Sequence, residues 1–122
     1  MLHIDFRDAR PIYEQVADGI EDLSIHGALA ADEQLPSVRQ LAVELSINPN
    51  TIQRAYAELE SRGVIYSVKG RGNFIAGDSA GLRERRLQEI AKQIAALVQA
   101  ARDLGADDAL LRTWLLEKEG SK

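Results

Sequence analysis

Two apolar stripes at helical spacing dominate the first half of the chain: Val38, Leu41, Ala42 and Leu45, then Ile52, Ala55, Tyr56 and Leu59. The helices they imply are separated only by Ser46-Ile47-Asn48, too little for anything but a tight turn. Each stripe has its own start signal. Ser37 with Gln40 three residues later forms a capping box. Asn48 can cap the second helix, and Pro49 fills its first position, where a missing N–H costs nothing. Gly63 ends it. Two short helices joined in this way are the helix-turn-helix pattern.

The flanking sequence supplies the rest of a domain. Upstream, Leu2, Ile4 and Phe6 alternate with polar residues as a short extended segment with one buried face. Pro11 then opens a scaffold helix as its first residue, with the stripe Ile12, Val16, Ile20 and Leu23 and a stop at Gly27. Residues 28–35 form a loop. Downstream, 64–68 and 73–76 read as paired strands around the tip Lys69-Gly70-Arg71-Gly72. A three-helix core followed at once by a basic hairpin is the winged arrangement, in which the tip meets DNA beside a helix in the major groove.

Residues 77–81 (Gly-Asp-Ser-Ala-Gly) read as a linker. Beyond it Leu87, Ile90, Ile94, Leu97, Ala101 and Leu104 step by three and four in a heptad seam. Gly105 ends that helix. Asp107 can cap a last short one carrying Leu110, Leu111, Trp114 and Leu115 on one side. The expected architecture is mainly α with a small β wing. A winged helix-turn-helix domain over 1–77 and a linker over 78–81 precede a two-helix dimerisation tail over 82–122.

Composition narrows the function. The chain has no cysteine, which excludes disulfides, thiolate chemistry and Cys-based zinc sites. No apolar run approaches the roughly 20 residues of a membrane span, and charges within the first ten residues are unlike a signal peptide. A cytoplasmic protein with no membrane partner is expected. The net charge of −4 is unevenly spread. Residues 1–35 set two cations against eight acids, 36–77 five against three, and 78–122 eight against eight. Only the helix-turn-helix and wing region is positive. His3 and His26 lack metal-ligand spacing, and no nucleophile has a matched base. No enzyme, metal or cofactor is indicated.

With these residues in view, the first 77 positions resemble the DNA-binding domain of the GntR family of bacterial transcription regulators. The strings that carry the resemblance are Pro11-Ile12-Tyr13-Glu14-Gln15, Leu35-Pro36-Ser37-Val38-Arg39-Gln40-Leu41-Ala42, Asn50-Thr51-Ile52-Gln53-Arg54-Ala55-Tyr56, Leu59-Glu60-Ser61-Arg62-Gly63-Val64-Ile65 and Lys69-Gly70-Arg71-Gly72-Asn73-Phe74-Ile75. By length and helix pattern the tail is similar to the dimerisation module of the YtrA-like branch. The resemblance implies a dimeric repressor on an inverted-repeat operator, controlling its own operon and a neighbouring transporter operon. Three departures stand out: Ala31-Asp32 where the family has Pro-Gly, Ser46 where a turn glycine is common, and Pro49 where many members have an arginine.

The expected DNA-contacting residues are Ser37, Arg39, Asn50, Thr51, Gln53, Arg54, Lys69, Gly70 and Arg71. Arg39 points away from its helix's buried stripe, toward a phosphate or guanine edge. Its alternative is a surface ion pair with Glu44 or another acid. On the following helix Asn50, Arg54 and Ala57 lie opposite the apolar stripe with Gln53 on the flank. Amide and guanidinium groups suit adenine and guanine edges, while Thr51, near the helix start, suits a phosphate. Residue type alone leaves the division between base and phosphate contacts open. The expected self-association residues are Leu87, Ile90, Ile94, Leu97, Ala101, Leu104, Leu111, Trp114 and Leu115. A winged helix that binds only protein would show acidic or apolar residues on the same surfaces, in place of Asn50, Gln53, Arg54, Lys69 and Arg71.

Overall fold

A computed structural model describes residues 2–116, with Ser79 by its backbone only. The final six positions of the expected tail lie outside the described residues. The chain divides into two compact units, Met1–Arg83 and Glu84–Lys122.

The first unit holds α1 (Ile12–Ile25), α2 (Val38–Leu45), α3 (Pro49–Arg62), β1 (Ile65–Val68) and β2 (Gly72–Ile75). Each expected helix forms at its start signal. The Ser37–Gln40 capping box is closed in both directions. The Asn48 side chain accepts from the Asn50 N–H at 2.7 Å, with Pro49 at the first helical position. Pro11 is displaced by one residue from its expected place: it is the N-cap of α1, and its carbonyl takes the N–H groups of Glu14 and Gln15. Phe6 also departs from expectation. The extended segment ends at Asp5, where Asp5 and Asp8 fold the chain into turns by accepting from Arg7, Asp8 and Arg10 N–H groups. Phe6 is left 71% exposed, while Leu2 and Ile4 pack on the core.

The core gathers Val16, Ala17 and Ile20 of α1, Leu41 and Ala42 of α2, and Ile52, Ala55, Tyr56 and Leu59 of α3, closed by Val64, Ile65 and Ile75. Leu35 and Leu82 complete it. Leu82, the first residue of the expected tail, is 2% exposed in this core. Asp78 accepts from the Gly81 N–H at 2.9 Å and caps α4 (Ser79–Asp103), so 79–81 are a helical first turn rather than an irregular tether.

The two strands pair antiparallel, Ile65 opposite Ile75 and Val68 opposite Gly72. Each is one residue shorter at the core end than expected, and Gly72 belongs to β2 rather than to the tip. Residues 32–35 run beside β2: Asp32 N–H donates to Ile75 O at 2.7 Å and Leu35 N–H to Asn73 O at 2.9 Å. The loop before α2 thus braces the hairpin, satisfying backbone groups that an isolated two-stranded ribbon would leave open.

Ser46 and Asp32 are the non-glycine residues with left-handed backbone among those described, at φ +55° and +66°. Both stand where the family pattern has glycine. An L-residue there costs roughly 1–2 kcal/mol. Asp32 has a compensation, since its carboxylate accepts from the Tyr66 hydroxyl at 2.7 Å.

A charged cluster ties α1 to α3. The Arg62 guanidinium reaches Glu21 at 2.7 Å, Asp18 at 2.9 Å and Glu58 at 3.0 Å, and Arg10 holds the other oxygen of Asp18 at 2.6 Å. Burial works against the Arg62 charge, but hydrogen bonds to Glu58, Asp18 and Glu21 outweigh it and hold the group above its ordinary value.

In the second unit, Leu104 N–H and Gly105 N–H close the end of α4 on Ala101 O and Arg102 O. Asp107 then caps α5 (Asp108–Leu116) through the Leu110 N–H at 2.9 Å. Arg102 pairs with Asp108 at 2.6 Å across the turn.

Two consequences can be measured. Ser46→Gly should stabilise the chain by about 0.5–1 kcal/mol in chemical denaturation, whereas Asp32→Gly should gain less because it removes the Tyr66 acceptor. Equal gains would show that the Tyr66–Asp32 hydrogen bond contributes nothing. Arg62→Met should cost about 3–5 kcal/mol by taking the guanidinium away from the buried Glu21 carboxylate. Adding Glu21→Gln should then recover part of the loss; no recovery would assign the effect of Arg62 to packing.

Candidate nucleic-acid interface

Because α3 buries Ile52, Ala55, Tyr56 and Leu59 almost completely, the opposite face is fixed as the outer one. Asn50, Gln53, Arg54 and Ala57 are all exposed there, and Thr51 is half-buried at the first turn. The Tyr56 hydroxyl donates to Pro36 O at 2.7 Å, so α3 also fixes the chain entering α2. Burial, with a smaller contribution from Glu44, pushes this phenol up to about 12.

On α2, Arg39 is exposed, and the ion pair with Glu44 does not form. Ser37 Oγ is committed as an acceptor to the Gln40 N–H, yet its hydroxyl proton remains available to an outside acceptor. The exposed cations Arg39, Arg54, Lys69 and Arg71 have no carboxylate partner among the described residues. Of the acids of α1, Asp18 and Glu21 are held by Arg62.

The wing tip is more ordered than its two glycines suggest. Gly70 has φ +78°, and Arg71 N–H closes the turn on Val68 O at 2.9 Å. Gln34, which the sequence reading did not single out, donates from its side chain to Arg71 O at 2.7 Å. A Cβ on Gly72 would stand 2.9 Å from that Gln34 nitrogen, so glycine is needed for the clasp as well as for its φ of +119°. Tyr66 and Phe74 stack across the strands at 5.6 Å and stiffen the hairpin beneath the tip. An open cleft of about 790 Å³ lies between the wing and the start of α2, lined in part by Gln34, Ser37, Gln40, Arg71 and Asn73. Gln34 could have been found only as an amide between two loops, a pattern with no periodicity to mark it.

A second cleft, about 440 Å³, brings Tyr13 of α1 to Asn50, Thr51 and Arg54 of α3. The Arg54 guanidinium carbon lies 4.0 Å from the centre of the Tyr13 ring.

In the second unit the expected seam splits. Leu111 is 7% exposed, and it faces α4 across a shallow apolar groove of about 200 Å³ shared with Ile94, Leu97, Val98, Ala101, Trp114 and Leu115. Ala101 is half-buried, as is Val98, which the heptad reading did not include. Leu87, Ile90, Ile94, Leu97, Trp114 and Leu115 remain exposed, and Leu104, just past the end of α4, is 91% exposed. No helix of the described residues is long and apolar enough to cross a membrane.

This geometry agrees with known proteins. Residues 12–75 match the profile of bacterial regulatory proteins of the gntR family. The chain is 36% identical over 118 residues to the HTH-type transcriptional repressor YtrA of Bacillus subtilis (strain 168), spanning 96% of this chain and 91% of the relative. Among solved structures, a transcriptional regulator from Oenococcus oeni superposes with a TM-score of 0.78 at 29% identity, over 96% of this chain and 98% of that one. AraR(DBD) in complex with an operator matches 62% of this chain and 93% of its own, with a TM-score of 0.54 and 29% identity. The match runs from the scaffold helix through the last strand of the wing and takes in Arg39, Arg54, Lys69 and Arg71. This chain therefore belongs to the GntR family of bacterial regulatory proteins, as a winged-helix DNA-binding transcription regulator and not an enzyme.

Proposed function

We propose that this chain is a homodimeric repressor that binds an inverted-repeat operator. In this reading α3 enters the major groove and the wing tip meets the backbone or minor groove beside it. The carrying observation is the set of exposed, uncompensated cations, Arg39, Arg54, Lys69 and Arg71, next to the amides of Asn50 and Gln53. Cations without carboxylate partners keep their full charge for phosphates, and amides and guanidinium groups can bond base edges bidentately. YtrA of Bacillus subtilis is a repressor by name, and AraR(DBD) was solved on an operator. Both support the assignment. The resemblance to the YtrA-like branch extends this proposal to control of the chain's own operon and of a transporter operon, which genome-wide mapping of bound sites tests.

Self-association rests on the second unit. Leu87, Ile90, Ile94, Leu97, Trp114 and Leu115 lie exposed within about thirty residues, a density of apolar surface that monomers rarely leave uncovered. A two-helix unit of this size rarely folds without a partner. A second copy supplies a matching seam.

In vitro selection with the full chain should enrich an inverted repeat with half-sites about one helical turn apart. Ile94→Lys should cost several kcal/mol, by order of magnitude, through burial of an unpaired cation, and should give a monomer by light scattering with weakened DNA binding. A fully dimeric Ile94→Lys protein would remove the seam from the interface. Lys69→Ala or Arg71→Ala should weaken binding to every sequence and lower the salt slope by about one for each lost phosphate contact. Gln53→Ala should change preference at particular bases, by roughly 1–3 kcal/mol. Equal loss on selected and random duplexes would exclude Gln53 as a base reader.

A further inference from the structure

We propose that Tyr13, on the scaffold helix α1, is a positioning residue for DNA recognition that holds Arg54 in its reading pose through the face of its ring. The inference rests on the assignment of α3 as the reading helix. Tyr13 is half-buried and packs against the core, so its ring is a fixed platform. Arg54 is exposed, and a free arginine on a helix surface samples many rotamers, which must be frozen on binding. Its guanidinium carbon sits 4.0 Å from the Tyr13 ring centre, well inside the range of a cation–π contact.

The nature of the partner matters. A carboxylate would occupy two guanidinium N–H groups and neutralise the charge, as Glu21, Asp18 and Glu58 do for Arg62. An aromatic ring takes only the face of the guanidinium. The N–H donors radiate in the plane and stay free, and the charge is not cancelled. Tyr13 thus restrains Arg54 without spending any group that DNA would use. Asn50 and Thr51 line the same cleft, so an Arg54 held there stays beside the other polar groups of the first turns of α3. The ring, rather than the hydroxyl, carries this role.

The test is a double-mutant cycle on the full-length chain, using a duplex selected in vitro by the wild-type protein and a copy scrambled within the half-sites. Tyr13→Leu should weaken binding to the selected duplex about 2- to 5-fold per half-site and erode its preference over the scrambled copy. Tyr13→Phe, which keeps the ring, should retain most of both. In an Arg54→Ala background, Tyr13→Leu should have no further effect. Thermal melting of each variant checks that the fold persists. An equal loss with and without Arg54 would make Tyr13 a packing residue and overturn the proposal, as would an unchanged Tyr13→Leu protein. A selection that enriches no sequence would overturn the assignment of α3 itself, an outcome distinct from a selected duplex that ignores Tyr13.

Discussion

One cylinder carries both halves of this domain's work. Helix α3 buries Ile52, Ala55, Tyr56 and Leu59 at the centre of the core, and the helical period then forces Asn50, Gln53, Arg54 and Ala57 outward. Nothing can rotate α3 to expose different residues without pulling four side chains from the core. At roughly 1.5–3 kcal/mol for each buried large apolar side chain, such a rotation would cost most of a small domain's stability. The orientation of this outer face is therefore set by the core. The remaining elements adjust around that constraint: α1 and α2 pack on α3, Tyr56 ties α3 to Pro36, and the chain leaving Gly63 leads directly into the wing.

Charge is sorted by the same packing. What a polyanion meets on an acidic protein depends on how its charges are distributed rather than on their sum. Here Arg62 takes up Asp18, Glu21 and Glu58, and the cost of burying Glu21 is offset by a guanidinium that satisfies several oxygens at once. This leaves Arg39, Arg54, Lys69 and Arg71 as the cations without carboxylate partners in the positive stretch of the sequence. The two arginines of α3 thus do different jobs. Arg62 is a tether to α1, while Arg54 lies against an aromatic ring with its donors free. Their chemistry is identical, and only their neighbours distinguish them.

Ordering of the wing follows from long-range contacts. Two glycines and two cations at a hairpin tip suggest a loose loop, yet Gln34 clasps Arg71 and residues 32–35 add a row of hydrogen bonds along β2. The brace comes from a stretch that carries no periodic signal of its own. Its path depends on Asp32, whose left-handed backbone turns the chain and whose carboxylate meets Tyr66 from the other strand.

The sequence by itself determined what local chemistry can encode: three helices at their caps, a hairpin at its glycines, and the assignment of Arg39, Asn50, Gln53 and Arg54 to outer faces. Capping and helical periodicity act within four residues, so they can be read along a string. Tertiary structure decided everything that joins residues far apart in the chain. It drew Leu82 into the first unit's core and made a helical turn of residues 79–81, because a buried leucine and the Asp78 cap outweigh the one glycine in that first turn. It exposed Phe6, brought Gln34 to the wing, placed Tyr13 beneath Arg54 and buried Leu111 against α4 while leaving most of the seam open. These contacts depend on which surfaces meet when the core closes, and a one-dimensional pattern holds no record of that.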